Sequence, residues 1–187
     1  MVAHIVTIVT FGAVALDRRI SANLNYTVSS DVMNACIAQA GIKHVITSRK
    51  FMDKMNFQLN AELVYLEDLK DRPTAADKVI SYLQSHLLPA GMLERLLGLG
   101  QAKSDDVLTV IFTSGSTGTP KGVMLTHANV ASNVLAIDQV VHLRESDVLI
   151  GILPFFHSFG YTIAMWGAAA LNIQGAYHYS QIGRAHV

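Results

Sequence analysis

Ten residues, Thr113-Ser114-Gly115-Ser116-Thr117-Gly118-Thr119-Pro120-Lys121-Gly122, constrain this chain more than any other segment. They follow Asp106–Phe112, a continuous Val-Leu-Thr-Val-Ile-Phe run that reads as a buried strand, and lead into a short apolar run, Gly122–Leu125. Gly115, Gly118 and Gly122 let the backbone turn and bring its N–H groups close to an anion. Hydroxyls on Thr113, Ser114, Ser116, Thr117 and Thr119 add donors, and Lys121 adds a point charge. A strand that opens into such a loop is suited to cradle polyphosphate. It is not a Walker A loop, which needs Gly-x4-Gly-Lys-Ser/Thr with the last hydroxyl on magnesium. Here Gly122 follows Lys121 and Pro120 precedes it. A flexible Ser/Gly linker would not sit between two apolar strands.

The rest of the chain alternates short strands with helical stretches. Asp31–Ala40 reads as a helix, with Asp31 as its N-cap and Gly41 as its stop. Lys43–Thr47 is strand-like, and Ser48 is placed to cap a helix through Phe51, Met52 and Met55. Leu63–Leu66 reads as a strand, Glu67–Arg72 as a charged loop, and Ala75–Leu88 as a helix with Val79, Ile80, Leu83 and Leu87 on one face. Met92–Leu97 forms a short helix between glycines and Pro89. Thr126–Val141 is a helix whose start is served by Thr126 or Asn129. Val148–Leu153 is a strand, Phe159–Leu171 an apolar helix, and Ala176–Tyr179 the start of another strand. This alternation predicts an α/β fold with largely parallel sheets flanked by helices.

Composition narrows the function. Fourteen basic and 14 acidic residues give zero formal net charge, which excludes a strong electrostatic nucleic-acid binder. One cysteine, Cys36, excludes a disulfide framework and a cysteine-based zinc site, and fits a small core residue. Only 15% of residues are charged and 51% are apolar, which excludes a disordered chain. Met1–Leu16 is mostly apolar but has no basic n-region and falls short of the roughly 20 residues a bilayer span needs. It is expected to be a buried helix or strand. The last six residues, Ile182-Gly183-Arg184-Ala185-His186-Val187, look like a translated sequencing adapter. The expectation is therefore one incomplete domain over residues 1–181 and a non-native tail over 182–187.

The loop Thr113–Gly122 resembles the phosphate-loop signature of the adenylate-forming superfamily: acyl-CoA synthetases, luciferases, peptide-synthetase adenylation domains and acyl–carrier-protein ligases. Val123-Met124-Leu125-Thr126-His127-Ala128-Asn129 continues the likeness, and Leu153-Pro154-Phe155-Phe156-His157-Ser158-Phe159-Gly160 resembles the next core motif. A narrower likeness rests on Asn23–Thr27, Ile46–Phe51, Val64–Lys70 and Thr74–Val79. These resemble the ligase part of bacterial acyl-ACP synthetase / 2-acylglycerophosphoethanolamine acyltransferases. The fold implied is a partial N-terminal large domain of the adenylate-forming type.

The resemblance implies that a fatty acid is activated with ATP to an acyl-adenylate and passed to the thiol of acyl carrier protein, with CoA as the alternative acceptor. Thr113, Ser114, Gly115, Ser116, Thr117, Gly118, Thr119 and Lys121 would hold the nucleotide's phosphates. Lys121 and His157 would act in catalysis. Phe156, His157 and Gly160 would line the acyl site. His4, His44, His86, His127, His142 and His178 show no metal-ligand spacing, and no metal ligand is assigned in this chain. Magnesium would accompany ATP, held by a Tyr-Gly-x-Thr-Glu segment that does not occur in this sequence. The Tyr-Arg-Thr-Gly-Asp segment for the ribose does not occur either, so the chain alone is expected not to form acyl-adenylate. The resemblance implies a cytoplasmic location, with membrane association through segments outside this chain. A noncatalytic nucleotide-binding fragment is the other class of reading.

Overall fold

Among the described residues, short apolar runs separated by helices fold into three small sheets. A computed structural model describes residues 2–113 and 120–177, with side chains from Thr7 onward. The described residues form two compact units, one drawn from residues 2–25, 103–113 and 122–177, the other from 26–102 with 120–121.

In the first unit, helix α1 (Val2–Leu16) precedes β1 (Ser21–Asn23). The central strand β4 (Val107–Thr113) pairs parallel with β1, Ser21 opposite Thr109 and Asn23 opposite Ile111. Its other neighbour is β5 (Lys121–Thr126). Helix α7 (His127–Val141) starts at a reciprocal capping box. Thr126 Oγ1 accepts the Asn129 N–H at 3.2 Å, and Asn129 Oδ1 accepts the Thr126 N–H at 3.1 Å. Both residues flagged for this start therefore serve it.

Strand β6 (Val148–Gly151) pairs parallel with β7 (Gln174–Tyr177). β6 is shorter than the apolar run predicts. The Tyr177 ring lies across Gly151 and Gly175, where an added Cβ would fall 2.5 and 2.6 Å from it. Its hydroxyl donates to Ala164 O at 2.6 Å. Partial burial raises the Tyr177 pKa. Leu108, Ile111, Val130, Phe155, Tyr161, Ala164 and Met165 form the core of this unit.

The expected apolar helix after residue 158 departs from α geometry. Gly160–Gly167 is π-helical and Ala168–Ala170 (α8) completes it. The segment is apolar on every side, so its sequence carries no periodicity that separates the two helix types.

The second unit holds α2 (Ser30–Ala40), β2 (His44–Thr47), α3 (Arg49–Met55), β3 (Glu62–Tyr65), α4 (Leu66–Asp71), α5 (Ala75–Leu87) and α6 (Ala90–Leu96). Strands β2 and β3 pair parallel. Met33, Cys36 and Ile37 are its buried residues on α2, and burial raises the Cys36 pKa. Two sequence expectations are corrected here. Ser29, not Asp31, caps α2, because its hydroxyl reaches Val32 N while Asp31 lies inside the first turn. Glu67–Arg72 is not a loop: Glu67 and Asp68 occupy the first turn of α4, where acidic groups favour a helix start. Arg49 pairs with both Asp68 oxygens at 2.8 Å and lies 4.4 Å from the Tyr65 ring centre. Gly41 ends α2 at φ 61°, the left-handed position that favours glycine. Val79, Ile80, Leu83 and Leu87, the apolar face of α5, are exposed.

Candidate functional site

Strand β4 is buried along its length at Leu108, Thr109 and Ile111 and ends at exposed Thr113. Thr113 belongs to the strand rather than to the loop alone. Lys121 is exposed and begins β5. Gly122 next to it has no room for a side chain without a shift, since a Cβ there would meet Phe112 and Val110 at 3.2 Å. Thr113 presents an exposed hydroxyl at the end of β4, and Lys121 an exposed ammonium at the start of β5. That chemistry fits a polyphosphate. Ser114, Gly115, Ser116, Thr117, Gly118 and Thr119 lie outside the described residues.

A second cluster follows β6. Three of the flagged residues, Phe156, His157 and Gly160, are brought together by one turn. The Pro154 carbonyl accepts His157 N–H at 3.0 Å, and the His157 carbonyl accepts Tyr161 N–H at 2.9 Å. His157 is exposed and Phe156 half-buried. The Phe159 N–H donates to His157 Nδ1 at 3.3 Å. That bond makes Nδ1 the acceptor and assigns the ring proton of the neutral imidazole to Nε2. The exposed Nε2–H is then a donor suited to an anionic oxygen.

Gly160 differs in character from its neighbours. It is buried, and an added Cβ would fall 2.3 Å from Pro154 O and 2.9 Å from Leu153 O. Its contact is with the chain's own backbone, and it lets the helix close onto the turn.

Among the described residues no group of three His, Cys, Asp or Glu side chains is placed to hold a metal. His44 meets Glu62 at 3.2 Å and His86 stacks on Tyr82, which are local surface contacts. His178 and the side chain of His4 lie outside the described residues, as does the 182–187 tail. Asn23 is a residue the sequence did not single out. Its Nδ2 donates to Phe155 O at 3.1 Å across a separation that no local pattern reveals.

The described residues form an α/β fold with parallel strand pairs flanked by helices, and exposed donors stand at Thr113, Lys121 and His157. The chain belongs to the AMP-binding enzyme family, whose model matches residues 4–177. Long chain acyl-CoA synthetase 6 (peroxisomal) of Arabidopsis thaliana is 44% identical over 95 residues, covering 49% of this chain and 13% of the relative. A medium-chain-fatty-acid–[acyl-carrier-protein] ligase, TtuA of Teredinibacter turnerae, is 49% identical over 59 residues, covering 32% of this chain and 9% of the relative. The fold matches O-succinylbenzoate coenzyme A synthetase of Bacillus subtilis, solved with ATP and magnesium ion. The TM-score is 0.72 at 18% identity over 93% of this chain and 32% of that one. The fold is thus that of an N-terminal adenylate-forming domain fragment. ATP binding is typical of the family.

Proposed function

We propose that this chain is the phosphate- and acyl-binding portion of an ATP-dependent long-chain fatty acid–CoA ligase. It spans 13% of the length of the Arabidopsis relative and 9% of the Teredinibacter relative. ATP is a co-substrate in this reading. The fatty-acid carboxylate oxygen attacks the α-phosphorus, the bond to pyrophosphate breaks, and acyl-adenylate forms. A thiolate sulfur then attacks the acyl carbon and AMP leaves with the bonding pair.

Lys121 and the hydroxyls of Thr113, Ser114, Ser116, Thr117 and Thr119 hold the β- and γ-phosphates, where charge develops as pyrophosphate departs. Gly115 and Gly118 belong to the same phosphate-binding segment in this reading. The exposed His157 Nε2–H donates to the acyl carboxylate or the α-phosphate. Phe156 walls the acyl site, and Gly160 fixes the turn that carries both. Magnesium accompanies ATP and takes its ligand from outside this chain.

The observation that carries this reading is the end of β4. Buried β4 ends at the exposed Thr113 hydroxyl just before a glycine- and hydroxyl-rich loop, and the exposed Lys121 follows that loop in sequence. The likeness to a long-chain acyl-CoA synthetase supports CoA as acceptor over the acyl carrier protein that the narrower sequence resemblance implies. The second reading, an acyl-carrier-protein ligase, is favoured by the match to TtuA. Either acceptor suits a cytoplasmic enzyme, and among the described residues no helix is long and apolar enough to cross a membrane.

The test is ATP–pyrophosphate exchange beside ATP binding. The chain should bind ATP and show exchange at background, because the glutamate segment for magnesium does not occur in its sequence. ATP binding that survives Lys121→Ala unchanged would overturn the assignment of the loop.

A further inference from the structure

Strand β1 is three residues long, and both of its ends reach into the segment that carries His157. At one end Asn23, 4% exposed, donates from Nδ2 to Phe155 O at 3.1 Å. A carbonyl only accepts, so this bond fixes which end of the carboxamide faces Phe155. At the other end Ser21 Oγ donates to Thr109 Oγ1 at 3.0 Å and lies 3.4 Å from the Tyr161 hydroxyl. Thr109 Oγ1 donates in turn to Ser21 O at 2.9 Å. Thr109 is fully buried and sits on β4, the strand that ends at Thr113. One short strand therefore holds both flanks of the Phe155–Tyr161 turn and is itself in parallel register with the strand that enters the phosphate loop.

We infer that Asn23 is a positioning residue for His157: its carboxamide fixes the Phe155 carbonyl, and with it the turn that aims the His157 Nε2–H, relative to the end of β4. This rests on the reading of His157 as a group beside the acyl carboxylate. The other end of the carboxamide argues for placement rather than stability. Among the described residues Asn23 Oδ1 is buried with no hydrogen-bond partner. A buried amide with one end unmatched costs free energy, and a leucine, of the same branched shape though larger, would remove that cost. What leucine cannot supply is the donor that locates the carbonyl. The loss should therefore be local to the turn.

Two variants of the 187-residue chain test this, Asn23→Leu and the isosteric Asn23→Asp, so that a folding failure of one leaves the other. Hydrogen exchange at the His157, Phe159 and Tyr161 amides should rise about tenfold, the effect of losing one net hydrogen bond, while the core amides of Leu108 and Val134 stay unchanged. Binding of a hydrolysis-resistant fatty-acyl sulfamoyladenosine should weaken about tenfold in Asn23→Leu and no further when His157→Ala is already present. Unchanged exchange in the turn, or a rise shared equally by the core, overturns the inference. So does a loss of affinity that is the same with and without His157. If the parent chain binds no sulfamoyladenosine, the functional reading fails, and exchange in the turn alone decides whether Asn23 holds it.

Discussion

Gly160→Ala sets two opposite expectations against each other. On helix propensity alone, alanine is favoured over glycine by up to about 1 kcal/mol. The structure reverses the sign. The added Cβ would fall 2.3 Å from Pro154 O, 2.9 Å from Leu153 O and 3.0 Å from Pro154 C, all backbone atoms of the turn before the π-helical segment. Carbon and oxygen ordinarily meet at about 3.3 Å or more, so the turn must move by roughly 1 Å. Overpacking of this kind costs about 1–3 kcal/mol. With a mid-range overpacking cost of about 2 kcal/mol and a propensity gain of about 1 kcal/mol, the net loss should be about 1 kcal/mol, or a fall in Tm of roughly 2–4 °C for a chain of this size. Gly167→Ala is the matched control, because its Cβ would meet only Ile163 Cγ2 and Thr162 O, both at 3.8 Å. That variant should keep the propensity gain. Thermal unfolding followed by circular dichroism compares the two. If Gly160→Ala is as stable as the parent, or shifts with Gly167→Ala, the tight closure of the helix onto Pro154 is wrong.

Other expectations follow from single contacts. Thr126→Ala removes one half of the α7 capping box and should cost about 1 kcal/mol by chemical denaturation. Tyr177→Phe deletes the bond to Ala164 O and keeps the ring over the two glycines, so it should cost about 1 kcal/mol, far less than Tyr177→Ala. Asp77 accepts the Thr74 hydroxyl at 2.7 Å and the Thr74 N–H at 2.8 Å, and these bonds hold its carboxyl below the usual range. Its contribution is complete above the unfolded-state carboxylate value and is lost as pH falls through the lower folded value. A plot of Tm against pH should therefore drop less steeply on its acid side in Asp77→Asn than in the parent.

The parts of the fold that depend on neighbours in sequence were readable. Ser48 does cap α3 through Phe51 N at 3.2 Å, Gly41 does end α2, and the β-branched runs do form strands. Thr126 and Asn129 both serve the start of α7, through a hydroxyl–x–x–amide spacing that is local. Glu67 and Asp68 carried a signal that was misread, since acidic pairs mark first turns as well as loops. The contacts that shape the His157 turn were hidden. Asn23 and Phe155 lie 132 positions apart and meet only in the folded chain, and the Pro154 carbonyl crowds Gly160 only once the chain reverses there. The candidate site divides in the same way. Its residue types follow from loop chemistry, whereas the His157 tautomer follows from one backbone N–H that no sequence pattern announces.

In the proposed site the segment after β4 holds the phosphates of ATP through Lys121. The most direct measurement is the thermal shift of the chain across an ATP titration, run on the parent and on Lys121→Ala. Binding to the folded state alone adds about 1.4 kcal/mol at ten times Kd, a rise of roughly 3–6 °C for a chain of this length. That rise is expected in the parent and none in the variant, with both melting at the same temperature without nucleotide because Lys121 is exposed. An unmoved parent, or an equal rise in the two proteins, would contradict it.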